Sequence, residues 1–241
     1  MATAAPSETG PSHETHTNQG AYLRDVVLGM ADGLTVPFAL AAGVSGAVSS
    51  NTIVITAGIA EIVAGAISMG LGGYLAARTE TEQYDSEYAR EMEETETMPA
   101  EERAEVRGIF AGYGIAGPAL DNLVDTIASD RTRWVDFMMR HELGLERPAP
   151  GRARISAATI GSSYALAGLV PLLPYFFIPV THDALIASVV VTLAALFAFG
   201  WFKSKMTGTP VFVGALQSML VGGIAAGAAF GLARLITNHA G

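Results

Sequence analysis

Hydrophobic positions run in long, nearly charge-free blocks rather than in the alternating or one-faced patterns of soluble domains. Arg154 and Asp183 enclose 28 uncharged residues, Asp183 and Lys203 enclose 19, and Lys205 and Arg234 enclose 28. Each block holds a helix of about 20 residues, the length that crosses a hydrocarbon core of about 30 Å. Three spans are therefore predicted in the C-terminal half. Between Asp25 and Arg78 lie 52 residues with only two charges, Asp32 and Glu61. The 28 residues separating those carboxylates are too few for two spans and a turn. With SGAVSSNT (45–52) as the turn, the spans fall near 26–45 and 53–77, and both carboxylates lie inside the membrane.

Residues 78–150 make the one long hydrophilic stretch, and 17 of the 23 acidic residues fall between Glu80 and Glu146. RTETEQYDSEYAREMEETET contains no Gly or Pro, so the second span is expected to continue through it. Pro99 suits a first helical position, ALDNLVDTIA has helical apolar spacing, and RTRWVDFMMRHELGLE ends near Gly144. The expected fold is all-α, with five transmembrane helices and a small cytoplasmic helical domain inserted between spans two and three. Its parts are a disordered tail over 1–21, spans one and two over 22–77, the insert over 78–150, and spans three to five over 151–241.

Of the 14 basic residues, all but Arg234 lie before span one, between spans two and three, or between spans four and five. The excess of positive charge places those regions, and the amino terminus, in the cytoplasm. Half of the residues are hydrophobic and mean hydropathy is +0.37, as a membrane protein requires. Residues 1–21 lack the basic and apolar regions of a secretory signal. With no cysteine, any metal must be held by O, N or thioether S. The strings GLTVPF (33–38) and GLVPLL (168–173) echo each other weakly, as half-broken helices of a transporter do.

Two groups of residues carry candidate chemistry. An ionised Asp at a helix centre costs about 2.5–3.5 kcal/mol, so Asp32 and Glu61 are expected to face a cavity, a partner or a pathway. Pro37 cannot donate to the carbonyl of Gly33, which leaves an acceptor beside Asp32 that a cation could share. The alternative is that Asp32 pairs with Arg24 and Pro37 only kinks the helix. Met69 lies at a depth matching Asp32. Gly58, Gly65 and Gly72 form a smooth stripe suited to close approach of a neighbouring helix or a second subunit. In the insert, Glu91 and Glu94, and Glu102 and Glu105, sit at i,i+3, while Glu142 follows Met139 and Met138 by three and four residues. Each pair shares a helix face and could reach one cation; the alternative is a solvated face partly paired with Arg90, Arg103 and Arg107. Mixed Glu and Met ligands suit Fe(II) or Mn(II) better than Mg or Ca. His141 is the one other donor, on a different face from Glu142.

The segments RDVVLGMADGLTVPFALAAG, GIAEIVAGAISMGLGGYLAARTE, WVDFMMRHELGLERP and GLVPLLPYFFIP resemble the vacuolar iron transporter family, in its plant-type form with a cytoplasmic insert. The resemblance covers about Tyr22 to Leu235. It implies a homodimer of five-span protomers that moves Fe(II) out of the cytoplasm in exchange for protons. It further implies a pathway lined by Asp32, Glu61 and Met69, and metal ligands at Glu91, Glu94, Glu102, Glu105, Met138, Met139 and Glu142. The expected cargo is Fe(II), with Mn(II), Co(II) or Zn(II) as alternatives. No prosthetic group, enzyme activity or nucleic-acid partner is expected. The setting is a vacuolar membrane, or a bacterial inner membrane. The rival readings are a manganese exporter on the same scaffold and a membrane-anchored iron-oxidising or storage protein. Sites of that last type need Glu-x-x-His from two helices, which the insert lacks.

Overall fold

The computed structural model describes residues 13–240, all eight of its elements being helices: α1 (His13–Ala47), α2 (Asn51–Thr97), α3 (Pro99–Gly112), α4 (Pro118–Ala128), α5 (Arg131–His141), α6 (Arg152–Phe177), α7 (Thr181–Thr207) and α8 (Val211–Ala240). Five of them, α1, α2, α6, α7 and α8, are long and apolar enough to cross a membrane. The expected tail over 1–21 falls mostly on residues 1–12, outside the described residues, while helix α1 starts at His13. The chain divides into two compact units, one of residues up to Tyr74 together with Ala153–Gly241, the other Leu75–Arg152.

The first unit is held together by small residues at helix crossings. A Cβ on Gly29 would collide with the carbonyl oxygen of Ile160, and one on Gly33 with that of Tyr164, so α1 lies directly on the α6 backbone. Helices α2 and α6 approach reciprocally: Cβ positions on Gly70 and Gly161 fall 3.0 Å from the carbonyls of Ala157 and Ala66. Without a hydrophobic drive in lipid, close van der Waals packing of this kind is what joins helices. On α7 the buried positions Thr181, Ala184, Ser188, Thr192, Leu196, Gly200 and Ser204 recur every three or four residues. Gly200 of this small face sits against Gly214 and Ser218 of α8.

The glycine stripe of α2 meets a neighbouring helix over part of its length. Gly58 and Gly65 approach Leu172 and Tyr164 of α6 in the same chain, and nothing lies within 4 Å of a Cβ on Gly72. Pro37 is buried, its ring against Gly168, so the two echoing strings of α1 and α6 pack on each other. At the other end of α6, the Asn51 side chain donates to the carbonyls of Ile178 (2.7 Å) and Tyr175 (3.2 Å). One amide thereby closes the last turn of α6, whose final carbonyls have no partner inside the helix.

The second unit comprises the distal part of α2 with α3, α4 and α5. Pro99 and Pro118 open α3 and α4 at positions where a missing N–H costs nothing. Asp130 caps α5 by accepting from the Arg133 N–H at 2.8 Å. Gly144, at φ 64°, turns the chain after α5 in a conformation that favours glycine. Val106, Leu120, Val124, Trp134 and Met138 form its main apolar core, and Tyr84, Val135 and Met139 form a second.

Gly33→Ala is expected to lower stability by about 1–3 kcal/mol, because the methyl group meets backbone that cannot yield. Gly223→Ala, whose nearest neighbour is Leu193 at 3.6 Å, is expected to be neutral or mildly stabilising. Thermal unfolding of both variants in one detergent checks the contrast.

Candidate metal sites in the membrane unit and the acidic unit

In the membrane unit the three sequence-predicted pathway residues occupy α1 and α2: Asp32, Glu61 and Met69 are each partly buried. Beside Glu61 stands a residue that sequence reasoning missed, Tyr164 of α6, only 2% exposed. Its hydroxyl donates to Oε1 of Glu61. Gly65 makes this possible, since a Cβ there would fall 2.5 Å from the Tyr164 ring. Asp32 is also near enough to act electrostatically on that hydroxyl. The second oxygen of Glu61, Oε2, is buried without a hydrogen-bond partner. A carboxylate oxygen left so in a low-dielectric setting costs several kcal/mol unless a proton or a cation meets it. Tyr164 thus holds one oxygen of Glu61 and leaves the other open between helices. The signal for Tyr164 in the sequence was indirect: a phenol in the middle of a charge-free block, opposite glycines on two other helices.

In the acidic unit Glu91 and Glu94 of α2 meet Glu102 of α3, with one oxygen of each lying within 4.8 Å of the others. That is near the distance between two oxygens on opposite sides of one divalent ion, about 4–5 Å. Glu91 is 1% exposed and Glu102 is 4% exposed, and each has an Oε2 buried without a hydrogen-bond partner. Glu105 and Glu142 adjoin the group, linked to each other by a side-chain hydrogen bond. Two of the three arginines that the solvated-face alternative would pair with this cluster are engaged elsewhere. Arg103 binds Asp125 at 2.6 Å and Arg107 binds Asp121 at 2.7 Å, both on α4. Arg90 is the cation at the cluster among the described residues, 2.7 Å from Glu87 and 3.5 Å from Glu91 and Glu94.

The electrostatic result is a set of carboxyl groups that resist ionisation. Burial, then the charges of Glu105, Glu91, Glu94 and Glu142, push Glu102 up to about 7. Partial burial, Glu105 and Glu91 push Glu142 up to about 7 as well. Burial and the Glu94 charge raise Glu91, against the pull of Arg90. Met138 and Met139 are both fully buried, one in each apolar core, so their sulfurs contribute to packing here. His141 is exposed with its ring 4.6 Å from that of Phe137, apart from the carboxylates' apolar surround.

These features agree with what the chain resembles overall. Five apolar helices, carboxylates within them and a separate acidic helical unit define a polytopic ion-handling membrane protein. The family model described as the VIT family matches residues 23–234, and the chain belongs to that family. It is 52% identical to Vacuolar iron transporter 1 of Arabidopsis thaliana over 225 residues, 93% of this chain and 90% of that protein. To Vacuolar iron transporter 2 of Oryza sativa subsp. japonica it is 49% identical, covering 93% and 92% of the two chains. Protein CCC1 of Saccharomyces cerevisiae is 39% identical, over 89% of this chain and 69% of the yeast protein. The plant relatives are named as transporters, and this chain is likewise not an enzyme.

The raised carboxylates fix a sign for pH dependence. Folded, Glu102 and Glu142 keep their protons up to about pH 7; unfolded, they release them near the ordinary 4.5. Between those values the folded chain binds more protons, so the acidic unit loses stability as pH rises from about 4.5 to 7. Thermal unfolding of metal-free protein should show its helices melting earlier at pH 8 than at pH 5.5. Glu102→Gln should flatten that difference.

Proposed function

We propose that the protein is a proton-coupled Fe(II) antiporter that moves iron out of the cytoplasm across a vacuolar membrane. Kinship with vacuolar iron transporters supports iron as cargo and the vacuole as setting. The single observation that carries the mechanism is Glu61: a carboxylate within a span, held at one oxygen by Tyr164 and open at the other. Such a group binds either a proton or a cation and releases one on taking the other. Asp32 and Met69 are its proposed companions on the pathway, with the Gly33 carbonyl above Pro37 as a further oxygen. An acidic compartment on the far side would protonate Asp32 and Glu61 and so drive release.

The acidic unit is the proposed collecting station, cytoplasmic by the distribution of basic residues, as is the amino terminus. Glu91, Glu94 and Glu102 form its centre, Glu105 and Glu142 its margin. Met138 and Met139 would act as soft ligands only after a sulfur leaves its apolar core. Pairing of two protomers is part of the reading, since α2 carries Ile53, Val63, Ile67, Leu71 and Leu75 uncovered in one chain. Manganese transport on this scaffold is the second reading, because carboxylate oxygens discriminate weakly between Fe(II) and Mn(II).

In proteoliposomes, Fe(II) uptake should require an acidic interior and should be abolished in Asp32→Ala and Glu61→Ala; undiminished uptake in both would overturn the pathway. Tyr164→Phe removes one hydrogen bond to a charged group, worth about 1.5–3 kcal/mol, and should shift the apparent Fe(II) affinity by about ten- to hundredfold or the pH optimum by about one to two units. Competition of Mn(II) against radiolabelled Fe(II) at a fixed pH gradient decides between the two cargoes.

A further inference from the structure

A groove of about 550 Å³ lies between α1, α6 and α7, lined by neither Glu61 nor Tyr164. Its walls are apolar, with Met30, Leu166, Val170 and Phe199 among them; Ser163 and Lys203 are its polar residues. On α1 it runs from Leu23 to Leu34 and on α7 from Ala195 to Met206, about 16 Å along each helix. That matches one leaflet, half of a hydrocarbon core of about 30 Å. At one end stands Lys203, half-buried, where the apolar run of α7 gives way to the connection with α8. Among the described residues no carboxylate is paired with Lys203. The only other charge in this last part of α7 is Lys205, also basic.

We propose that this groove binds an anionic glycerophospholipid, with one acyl chain laid along α1, α6 and α7 and the phosphate on Nζ of Lys203. Any lipid tail can cover an apolar groove, so the tail gives binding without selection. Selection comes from charge: a half-buried ammonium without a counter-ion at headgroup depth favours a net-negative lipid over a zwitterionic one. The lipid would rest against Met30 and Leu34, which flank Asp32 in sequence, and would brace α1 on the side that α6 and α7 leave open. The inference concerns the membrane unit alone and does not depend on which metal is carried.

Photo-crosslinking of the full-length protein with diazirine-tailed phosphatidylglycerol and phosphatidylcholine tests it. Phosphatidylglycerol should label peptides containing Leu23–Met30 and Ala198–Met206 about fivefold more than phosphatidylcholine does. Lys203→Ala should reduce that to the phosphatidylcholine level, Lys203→Arg should restore it, and Leu166→Trp should reduce labelling by both lipids. Equal labelling by the two lipids, labelling elsewhere, or a preference that survives Lys203→Ala would overturn the proposal. Absence of labelling by either lipid would mean that a protein helix covers the groove, which overturns it too.

Discussion

The membrane unit depends on backbone-to-backbone approach around one tyrosine. Gly29 and Gly33 let α1 settle on the carbonyls of α6, and Gly65 lets the Tyr164 ring press against α2. In water such an approach would be one packing choice among many; in lipid, where apolar side chains gain nothing by meeting, contact distance is the main source of affinity between helices. The same closeness that joins the three helices sets the Tyr164 hydroxyl on Glu61. Adding one methyl group at Gly33 or Gly65 therefore affects fold and site together.

The acidic unit is built on the opposite principle. Its helices carry like charges that oppose assembly; Arg103 and Arg107 are drawn off to the α4 aspartates, which leaves Arg90 beside the cluster. What holds the unit is its two apolar cores, which include Met138 and Met139. Buried Glu91 and Glu102 are the exception to the rule that interiors exclude carboxylates. Perturbed, buried carboxylates of this kind gather at ligand sites, which supports the proposed cation site.

The spans, the insert and the three insert helices were legible because each rests on local pattern: charge-free length, Pro at a first helical position, Gly after a last one. The placing of Asp32 and Glu61 inside long apolar helices was legible by counting, since too few residues separate them for two spans and a turn. Tyr164 was not, because its importance arises from glycines on two other helices, and no single-chain period connects Gly33, Gly65 and residue 164. The stripe of Gly58, Gly65 and Gly72 showed the limit of periodicity: a seven-residue repeat predicted one smooth face, while the structure puts its members in different surroundings. Burial of Met138 and Met139 was likewise invisible to spacing, which registers that a thioether follows a helix face and not what that face meets.

Glu102 and Glu142, held near half-protonation at neutrality, make the acidic unit a proton buffer at neutral pH. On the proposed reading, an ion that docks beside these groups evicts hydrogen ions into the surrounding solution, and a drop in local pH loosens it. Loading, on that reading, is graded by the acidity of the compartment the unit faces, so metal and proton balance are linked before any ion enters the bilayer.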